Sequence, residues 1–99
     1  APYELPARWL QLKDRLDLDT PFDLSSSNDI IGGNSGSPLI NAKAEVVGAI
    51  FDGNIHSLGG AFGYDPALNR AVSVSTAAIT ESLRKIYGQT ALLNELGVR

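Results

Sequence analysis

The sequence contains no cysteine, no methionine and only one histidine, and each absence excludes something. Without cysteine there is neither a disulfide framework nor a thiolate zinc site. One histidine among scattered carboxylates offers no convergent ligand set, so we expect no metal and no cofactor. Because even an initiator methionine is missing, we expect a processed or excised piece of a longer chain.

Long apolar runs and basic clusters are missing as well. No stretch approaches the ~20 apolar residues that a bilayer span requires, and the N-terminus lacks the basic-then-apolar pattern of a signal peptide. Eleven acidic side chains outnumber eight basic ones, which gives a net charge of −3 without any Lys/Arg cluster. Such a cluster is what a nucleic-acid partner requires. We therefore expect neither a membrane nor a nucleic acid as a partner.

The composition that remains is that of an ordinary globular protein. Of the 99 residues, 43% are hydrophobic and 19% are charged, which excludes a disordered tail and a collagen-like polymer. A chain of this length forms at most one small domain. Within it we predict a helical connector over residues 1–20, a β-rich segment over 21–74 and a helical segment over 75–99.

The middle segment has the pattern of β-structure. Short runs that alternate or are largely apolar lie between turn signals, which predicts strands. The predicted strands lie at 22–27, 38–41, 45–51 and 61–64 and within RAVSVST at 70–76, with AKAE as the turn between the second and the third. The predicted fold class is therefore mainly β, with four to six antiparallel strands.

Helical periodicity is present on both sides of the β-rich segment. Between Pro6 and Pro21, apolar side chains at near-helical spacing predict a connector helix of about two turns. From Ser75 onward, apolar residues recur at i, i+4, i+7 and i+8, which predicts an amphipathic helix that ends at Gly88. The segment ALLNEL adds one or two turns. The residues that carry the two patterns are Trp9, Leu10, Leu12 and Leu16 in the first helix and Ile79, Leu83, Ile86 and Tyr87 in the second.

The segment GGNSGSP at residues 32–38 places two serines among three glycines and a proline. A hydroxyl nucleophile that attacks a carbonyl needs a sharply bent backbone whose N–H groups converge on the developing oxyanion. With Ser35 as the nucleophile, the serine-protease template takes its donors from Gly33 and Ser35. Gly36 then lets the substrate approach closely, and Ser37 lies two residues further on. The alternative is a glycine-rich turn or an anion-binding nest.

The longer string SSNDIIGGNSGSPLINAKAEVVGAIFDGN, followed by AVSVST and the closing helix, resembles the bacterial dipeptidyl-peptidase 7 and 11 family of chymotrypsin-like serine peptidases. The resemblance is closer to the dipeptidyl-peptidase 7 type. It implies that Ser35 is the nucleophile and that Gly33 with Ser35 supplies the oxyanion donors. It also implies that Phe51 and Asp52 hold the free α-amino group of a peptide. A carboxylate beside an ammonium fixes where the peptide's N-terminus stops, so that two residues are released.

The residue after the Phe-Asp pair lines, in this family, the pocket for the side chain next to the scissile bond. An arginine there would select Asp or Glu by bidentate charge pairing, whereas Gly53 leaves an uncharged and roomier pocket. We therefore expect a preference for apolar or aromatic side chains. The alternatives are that Asp52 is an ordinary turn aspartate and that Gly53 only satisfies a backbone angle.

No histidine precedes Ser35, although chymotrypsin-like peptidases place the histidine base and its aspartate upstream of the serine. We expect His56 to be a solvated loop residue and Asp29 to cap or pair locally. The resemblance thus covers part of the second β-barrel of a longer enzyme, whose remainder would supply the base. We expect this chain to be inactive alone. A barrel of this kind closes with about six strands, so an open sheet would expose edges that favour a homodimer.

Two other functions remain open at this stage. An endopeptidase of the glutamyl or heat-shock type shares GNSGSP but has no reason to hold an α-amine with Asp52. A non-catalytic module would use the glycine loop to bind a peptide or an anion. The resemblance favours a peptide with a free N-terminus and the remainder of the parent enzyme as partners. It also implies a location in the periplasm or at the cell surface of a Gram-negative bacterium.

Overall fold

The computed structural model describes residues 3–59 and 62–98, which divide into two compact units. One unit is continuous and runs from Pro21 to Thr76. The other combines the described parts of residues 1–20 and 77–99. Each unit is considered by itself below.

The continuous unit is built on a four-stranded antiparallel sheet with the order β1-β4-β3-β2. Its strands are β1 (Asp23–Ser26), β2 (Pro38–Ile40), β3 (Val46–Gly53) and β4 (Ala71–Ser75). The β-branched residues of β3, Val46, Val47 and Ile50, and the alternation of β4 agree with the places of these strands in the middle of the sheet. The prediction of a mainly β fold with four to six antiparallel strands is confirmed.

The buried face of the sheet is made from small residues. Ala71, Ser73 and Ser75 alternate along β4 and are buried, and Gly48 and Ile50 are buried on β3. A Cβ at Gly48 would lie 2.9 Å from the carbonyl oxygen of Val74 and 3.2 Å from the Cβ of Ser73. The two central strands therefore approach each other in a way that only glycine permits at this position.

A β-bulge interrupts the register of β3 against β4. Ile50 pairs with Ser73 and Asp52 pairs with Val72, which leaves Phe51 as the extra residue. Regular alternation would put Phe51 and Asp52 on opposite faces, but both are exposed after the bulge. Bulges of this kind are found beside active sites, where they redirect side chains.

The second unit consists of short helices. They are α1 (Ala7–Leu12), continued by a 3-10 turn over Lys13–Arg15, α2 (Thr76–Glu81), continued by a π-helical turn over Ser82–Ile86, and α3 (Thr90–Glu95). The indole Nε1 of Trp9 donates a hydrogen bond of 2.9 Å to the hydroxyl of Tyr87, and the two rings meet edge to face. Ile86 and Leu93 are the large apolar side chains that this unit buries.

The carboxylate of Glu81 joins α2 to the segment after α1. Its Oε1 accepts hydrogen bonds of 2.9 Å from the backbone N–H of Asp17 and from Nζ of Lys85. The N–H of Asp17, and then Lys85, lowers the pKa of Glu81 below its ordinary value. Because Glu81 and Lys85 are four residues apart, one helix face presents both.

The predicted elements can now be compared with these bounds. The strands predicted at 22–27, 38–41, 45–51 and 70–76 are confirmed within two residues, as are both amphipathic helices and the turn of helix at ALLNEL. Gly88 ends its helix with φ +60. The strand predicted at 61–64 is wrong over 62–64, because the N–H groups of Phe62 and Gly63 both turn back to the carbonyl of Gly59, while Ala61 lies outside the described residues.

Residues 3–59 and 62–98 contain neither a membrane-spanning helix nor a cluster of metal-ligating side chains. In these residues no helix has the length and apolarity needed to cross a bilayer. The same residues bring no three His, Cys, Asp or Glu side chains together around a common point where a metal ion would fit.

Candidate active site

The GGNSGSP loop folds into two consecutive β-turns that share Asn34. In the first, the N–H of Asn34 donates to the carbonyl of Ile31 at 3.2 Å; in the second, the N–H of Ser37 donates to the carbonyl of Asn34 at 3.0 Å. The third residue of each turn is a glycine with positive φ, +99 at Gly33 and +87 at Gly36. This is the signature of type II turns, whose third position is strained for any residue with a Cβ.

This double turn leaves several amides unpaired around the serine. A β-turn is closed by the N–H of its fourth residue, so the preceding N–H groups are not used. Within the described part of the chain, the N–H groups of Gly32, Gly33 and Ser35 donate to no protein acceptor. The Ser35 side chain is exposed and its hydroxyl is also unpaired there. The loop thus offers a free hydroxyl beside free N–H donors, as both an oxyanion hole and an anion nest require.

The loop is attached to β3 immediately before the bulge. The N–H of Gly36 donates to the carbonyl of Ile50 at 2.7 Å, and the N–H of Ile50 donates to the carbonyl of Ser37 at 2.9 Å. Both polar backbone groups of Ile50 therefore hold the loop, and the strand continues directly into Phe51 and Asp52. Ser37, whose N–H and carbonyl are both used in these contacts, has a structural role in the turn.

A cavity of about 310 Å³ lies beside Ser35 and brings three of the predicted site residues together. Its lining mixes apolar side chains with polar groups, and among the described lining residues Asp52 alone is charged. The lining residues are Ile30, Ile31, Gly32, Asn34, Ser35, Ile50, Phe51, Asp52, Ser57 and Leu58. Ser35, Phe51 and Asp52 were singled out from the sequence, so the structure places the serine and the Phe-Asp pair around one space.

The Asp52 carboxylate is held in place by its own backbone. Its Oδ1 accepts a hydrogen bond of 2.8 Å from the N–H of Gly53. The remaining oxygen lone pairs are exposed to the cavity and make no other hydrogen bond within the described residues. An exposed carboxylate of fixed direction is well suited to accept an ammonium group.

Gly53 does not line the cavity itself, but its missing side chain would point at two residues that do. A Cβ at Gly53 would lie 2.9 Å from Cδ1 of Ile30 and 3.0 Å from Cβ of Ser57, and nearer still to the Ser57 hydroxyl. The φ of Gly53 is outside the left-handed region, so no backbone angle calls for glycine there. Space, and not conformation, is therefore the reason for a glycine at this position.

His56 and Asp29 take no part in the cavity. His56 is exposed on the 3-10 helix Ile55–Gly59, and neither residue is among those that line the space beside Ser35. The lining contains no histidine at all. His56 is exposed as predicted, but it lies on a short helix and not in a loop; that the base comes from another segment stays a prediction.

Several lining residues were not identified from the sequence. Ile30 and Ser57 are 27 positions apart, and only the fold brings them to the same wall, so no local pattern marks them. Asn34 did offer a signal, because an asparagine in a glycine-rich loop can hold a turn through its side chain. Its Oδ1 accepts a hydrogen bond of 2.7 Å from the N–H of Ile31.

A free serine hydroxyl beside unpaired amides and a cavity is the arrangement on which serine hydrolases carry out acyl transfer. Comparison with known families then identifies the chain more narrowly. The family model of Peptidase S46 matches residues 1–98, and the chain belongs to that family. The family resemblance inferred from the sequence is confirmed.

The similar curated proteins are dipeptidyl-peptidases. Dipeptidyl-peptidase 7 of Phocaeicola vulgatus is 40% identical over 80 residues, which is 81% of this chain and 11% of that protein. The Asp/Glu-specific dipeptidyl-peptidase of Shewanella putrefaciens is 37% identical over 76 residues, 77% of this chain and 10% of that protein. The chain thus spans about a tenth of the length of these relatives.

Solved structures show the same fold. DPP11 of Porphyromonas endodontalis in an alternate conformation superposes with a TM-score of 0.83 at 25% identity, covering 98% of this chain and 16% of that one. DPP11 of the same organism in complex with the dipeptide Arg-Glu superposes with a TM-score of 0.84 at 23% identity, covering 100% of this chain and 16% of that one. At this identity the second comparison concerns the fold alone.

Proposed function

We propose that the full-length parent of this chain is a serine dipeptidyl-peptidase that releases dipeptides from free peptide N-termini. The observation that carries the proposal is that Ser35, Phe51 and Asp52 all line one cavity. The names of the relatives, dipeptidyl-peptidase 7 and Asp/Glu-specific dipeptidyl-peptidase, support the same activity. In this proposal the sheet is part of a chymotrypsin-like second barrel, and residues 1–20, 21–74 and 75–99 act as connector, serine-bearing part and closing helices.

Ser35 is the nucleophile of the proposed reaction. Its Oγ attacks the carbonyl carbon of the second residue of the peptide, and the N–H groups of Gly33 and Ser35 stabilise the negative charge that forms on the carbonyl oxygen. The lack of any acceptor for these two N–H groups within the described residues supports this role. A histidine and an aspartate from the remainder of the parent would move the proton, so the isolated chain is inactive.

Asp52 sets the point at which the substrate begins. Its carboxylate forms a charge-assisted hydrogen bond with the α-ammonium group, while the exposed Phe51 ring packs against the first residues of the peptide. Among the described lining residues only Asp52 is charged. Its negative charge supports a positively charged group as its partner. The anchor and Ser35 line the same cavity, and in this proposal the bond that reaches Ser35 is the second peptide bond.

An uncharged side chain fits the pocket next to the scissile bond. Ile30, Ile31, Ile50 and Leu58 contribute apolar walls, and none of the arginines or lysines that the structure describes lines the space. An acidic side chain would be buried there without a cationic partner, which is costly. The parent is therefore expected to prefer apolar or aromatic residues at this position, as a dipeptidyl-peptidase 7 type enzyme.

The decisive experiment compares substrates with free and acetylated N-termini. The full-length parent should cleave a chromogenic dipeptide with a free amine and a leucine next to the leaving group, and it should fail on the acetylated form. Asp52→Asn should remove most of this preference, whereas Asp23→Asn, an exposed aspartate on β1, should not. Equal rates on blocked and free peptides would show an endopeptidase of the glutamyl or heat-shock type.

A non-catalytic binding module is the second candidate, because free N–H groups in a glycine-rich loop also form anion nests. A fluorophosphonate probe distinguishes the two functions, since it forms a covalent bond only with an activated serine. The parent should be labelled at Ser35, and Ser35→Ala should abolish the label. A folded parent that is not labelled would support the binding module.

The location and partners follow from the proposed activity. An enzyme that trims external peptides would work in the periplasm or at the cell surface of a Gram-negative bacterium, and cell fractionation with an antibody to the parent tests this. Its partners would be peptides with free N-termini and the remainder of the parent chain, with a homodimer as the expected assembly.

A further inference from the structure

Asn34 holds both polar backbone groups of Ile31. Its side-chain Oδ1 accepts the N–H of Ile31 at 2.7 Å, and its backbone N–H donates to the carbonyl of Ile31 at 3.2 Å. The first bond depends on the side chain, and the second would remain with any residue other than proline. Asn34 is half-buried and lines the cavity beside Ser35, so the bond lies next to the proposed reaction centre.

The turn closed by these two bonds determines how the Gly32–Gly33 peptide is oriented. Type I and type II turns have the same end residues, but their central peptides differ by a rotation of roughly 180°, as the change of φ at the third residue from about −90° to about +80° requires. Gly33 has φ +99 and is in the second form. A rotation to the first form would turn the Gly33 N–H to the opposite side of the turn.

Nothing else among the described residues holds this peptide in place. The N–H groups of Gly32 and Gly33 have no protein acceptor there, and a Cβ built at either residue meets no atom within 4 Å. Neither packing nor a direct hydrogen bond therefore opposes the rotation. Type I and type II turns share their ends, so the bonds between Asn34 and Ile31 do not select one form; they keep the turn closed, and the glycine at its third position permits the positive φ.

We propose that Asn34 is a positioning residue that preforms the oxyanion hole, because its side-chain bond to Ile31 keeps closed the turn that carries the Gly33 N–H. This inference rests on the proposed function, in which Gly33 is an oxyanion donor. Asn34 does not touch the reacting atoms in this role. It acts through the turn, and it is needed when negative charge develops in the transition state.

The test uses three variants of the full-length parent. Asn34→Ala removes the side-chain acceptor, and Asn34→Asp keeps a carboxyl oxygen that can accept the N–H of Ile31. Asn41→Ala is the matched control, because the Oδ1 of Asn41 likewise holds backbone N–H groups, those of Lys43 and Glu45, in the turn between β2 and β3. Asn41 is exposed and does not line the cavity.

The expected result separates kcat from KM. Asn34→Ala should lower kcat by about tenfold to a hundredfold, somewhat less than the loss of an oxyanion donor itself, with KM within about threefold. Affinity for a dipeptidyl boronic acid, whose adduct with Ser35 places an oxygen in the oxyanion site, should fall by the same factor as kcat/KM. Affinity for the product dipeptide should not change. Asn34→Asp should retain most of the kcat, and Asn41→Ala should retain all of it.

Three outcomes would overturn the proposal: an unchanged kcat in Asn34→Ala, an equal loss in Asn41→Ala, or a loss in Asn34→Asp as large as in Asn34→Ala. If Asn34→Ala does not fold by circular dichroism, Asn34→Asp decides alone, and a tenfold loss of kcat in that variant counts against the inference. A parent that cleaves only blocked peptides would end the dipeptidyl proposal without affecting this test. The activity of the same variants would then be measured on an endopeptidase substrate.

Discussion

At the scale of single residues, the two glycines at the start of the serine loop have different requirements. Gly33 has φ +99, whereas Gly32 is outside the left-handed region, and a Cβ at either position meets no atom within 4 Å. Gly33→Ala should therefore lower the free energy of unfolding of this chain by about 1–2 kcal/mol through backbone strain alone. Gly32→Ala should leave it nearly unchanged. Urea unfolding measures both, and equal losses would contradict the assigned turn type.

Gly53 presents the opposite case, in which space and not conformation is limiting. Gly53→Ala should destabilise the chain by about 1–3 kcal/mol, because the added methyl group meets Ile30 and Ser57. Ser57→Ala removes the closest obstacle, so the double variant should lose less than the sum of the two single ones. Gly59→Ala, where a Cβ has open space, is the control. Strict additivity in a double-mutant cycle would show that Ser57 does not limit position 53.

At the scale of secondary-structure elements, the sequence predicted strands well but not the irregularity within one of them. The alternation of β4 and the β-branched residues of β3 gave their positions because burial on one face imposes a period of two. The bulge at Phe51 has no comparable signal, although it exposes Phe51 and Asp52 together. The family resemblance, and not periodicity, pointed to that pair.

Predictions failed or were incomplete where local patterns are ambiguous. The glycine and aromatic residues at 61–64 imitate a strand, but the N–H of Phe62 closes a turn on Gly59 instead. The walls formed by Ile30 and Ser57 come from distant segments, so they could be found only from the fold. The serine loop was predictable because its glycines are needed for two specific turns.

The hydrogen bonds of Glu81 predict how the helical unit responds to pH. Since the pKa of Glu81 is lowered in the folded state, the ionised form stabilises the fold at pH values above the ordinary pKa of 4.5. This contribution is lost as the pH falls through the lowered pKa. Urea unfolding of wild type and Glu81→Gln should therefore differ most near pH 7 and converge in acid.

Glu95 provides the matched control for that experiment, because its carboxylate makes no hydrogen bond within the described residues. Glu95→Gln should change the free energy of unfolding less than Glu81→Gln does at pH 7. A difference between wild type and Glu81→Gln that grows in acid would contradict the assigned role of the Asp17 N–H.

At the scale of the whole molecule, the chain buries few large apolar side chains. Its buried hydrophobic residues are Ile50, Ala71, Ala78, Ile86 and Leu93, as far as the described ranges go. In the same ranges Leu18, Leu58 and Phe62 are 85%, 83% and 98% exposed. Apolar surface of this kind favours association in water.

We therefore expect the chain by itself to associate with a second copy as its concentration rises. Size-exclusion chromatography with light scattering should show a mass that increases between low and high micromolar concentrations. Phe62→Ser should reduce this association. Tyr3→Ser is the comparison variant, because Tyr3 is 95% exposed but lies in the other unit. A monomer at every concentration would contradict the expectation.

The attachment of the serine loop to β3 has a consequence for the length of the proposed product. Two backbone hydrogen bonds join Gly36 and Ser37 to Ile50, and the chain then continues through Phe51 to Asp52. The backbone segments that carry Ser35 and Asp52 are therefore held together by main-chain hydrogen bonds, which side-chain substitutions leave in place. Pocket variants should change which dipeptides appear in a peptide digest without producing tripeptides. Such an enzyme can change its side-chain preference while the length of the released peptide stays constant.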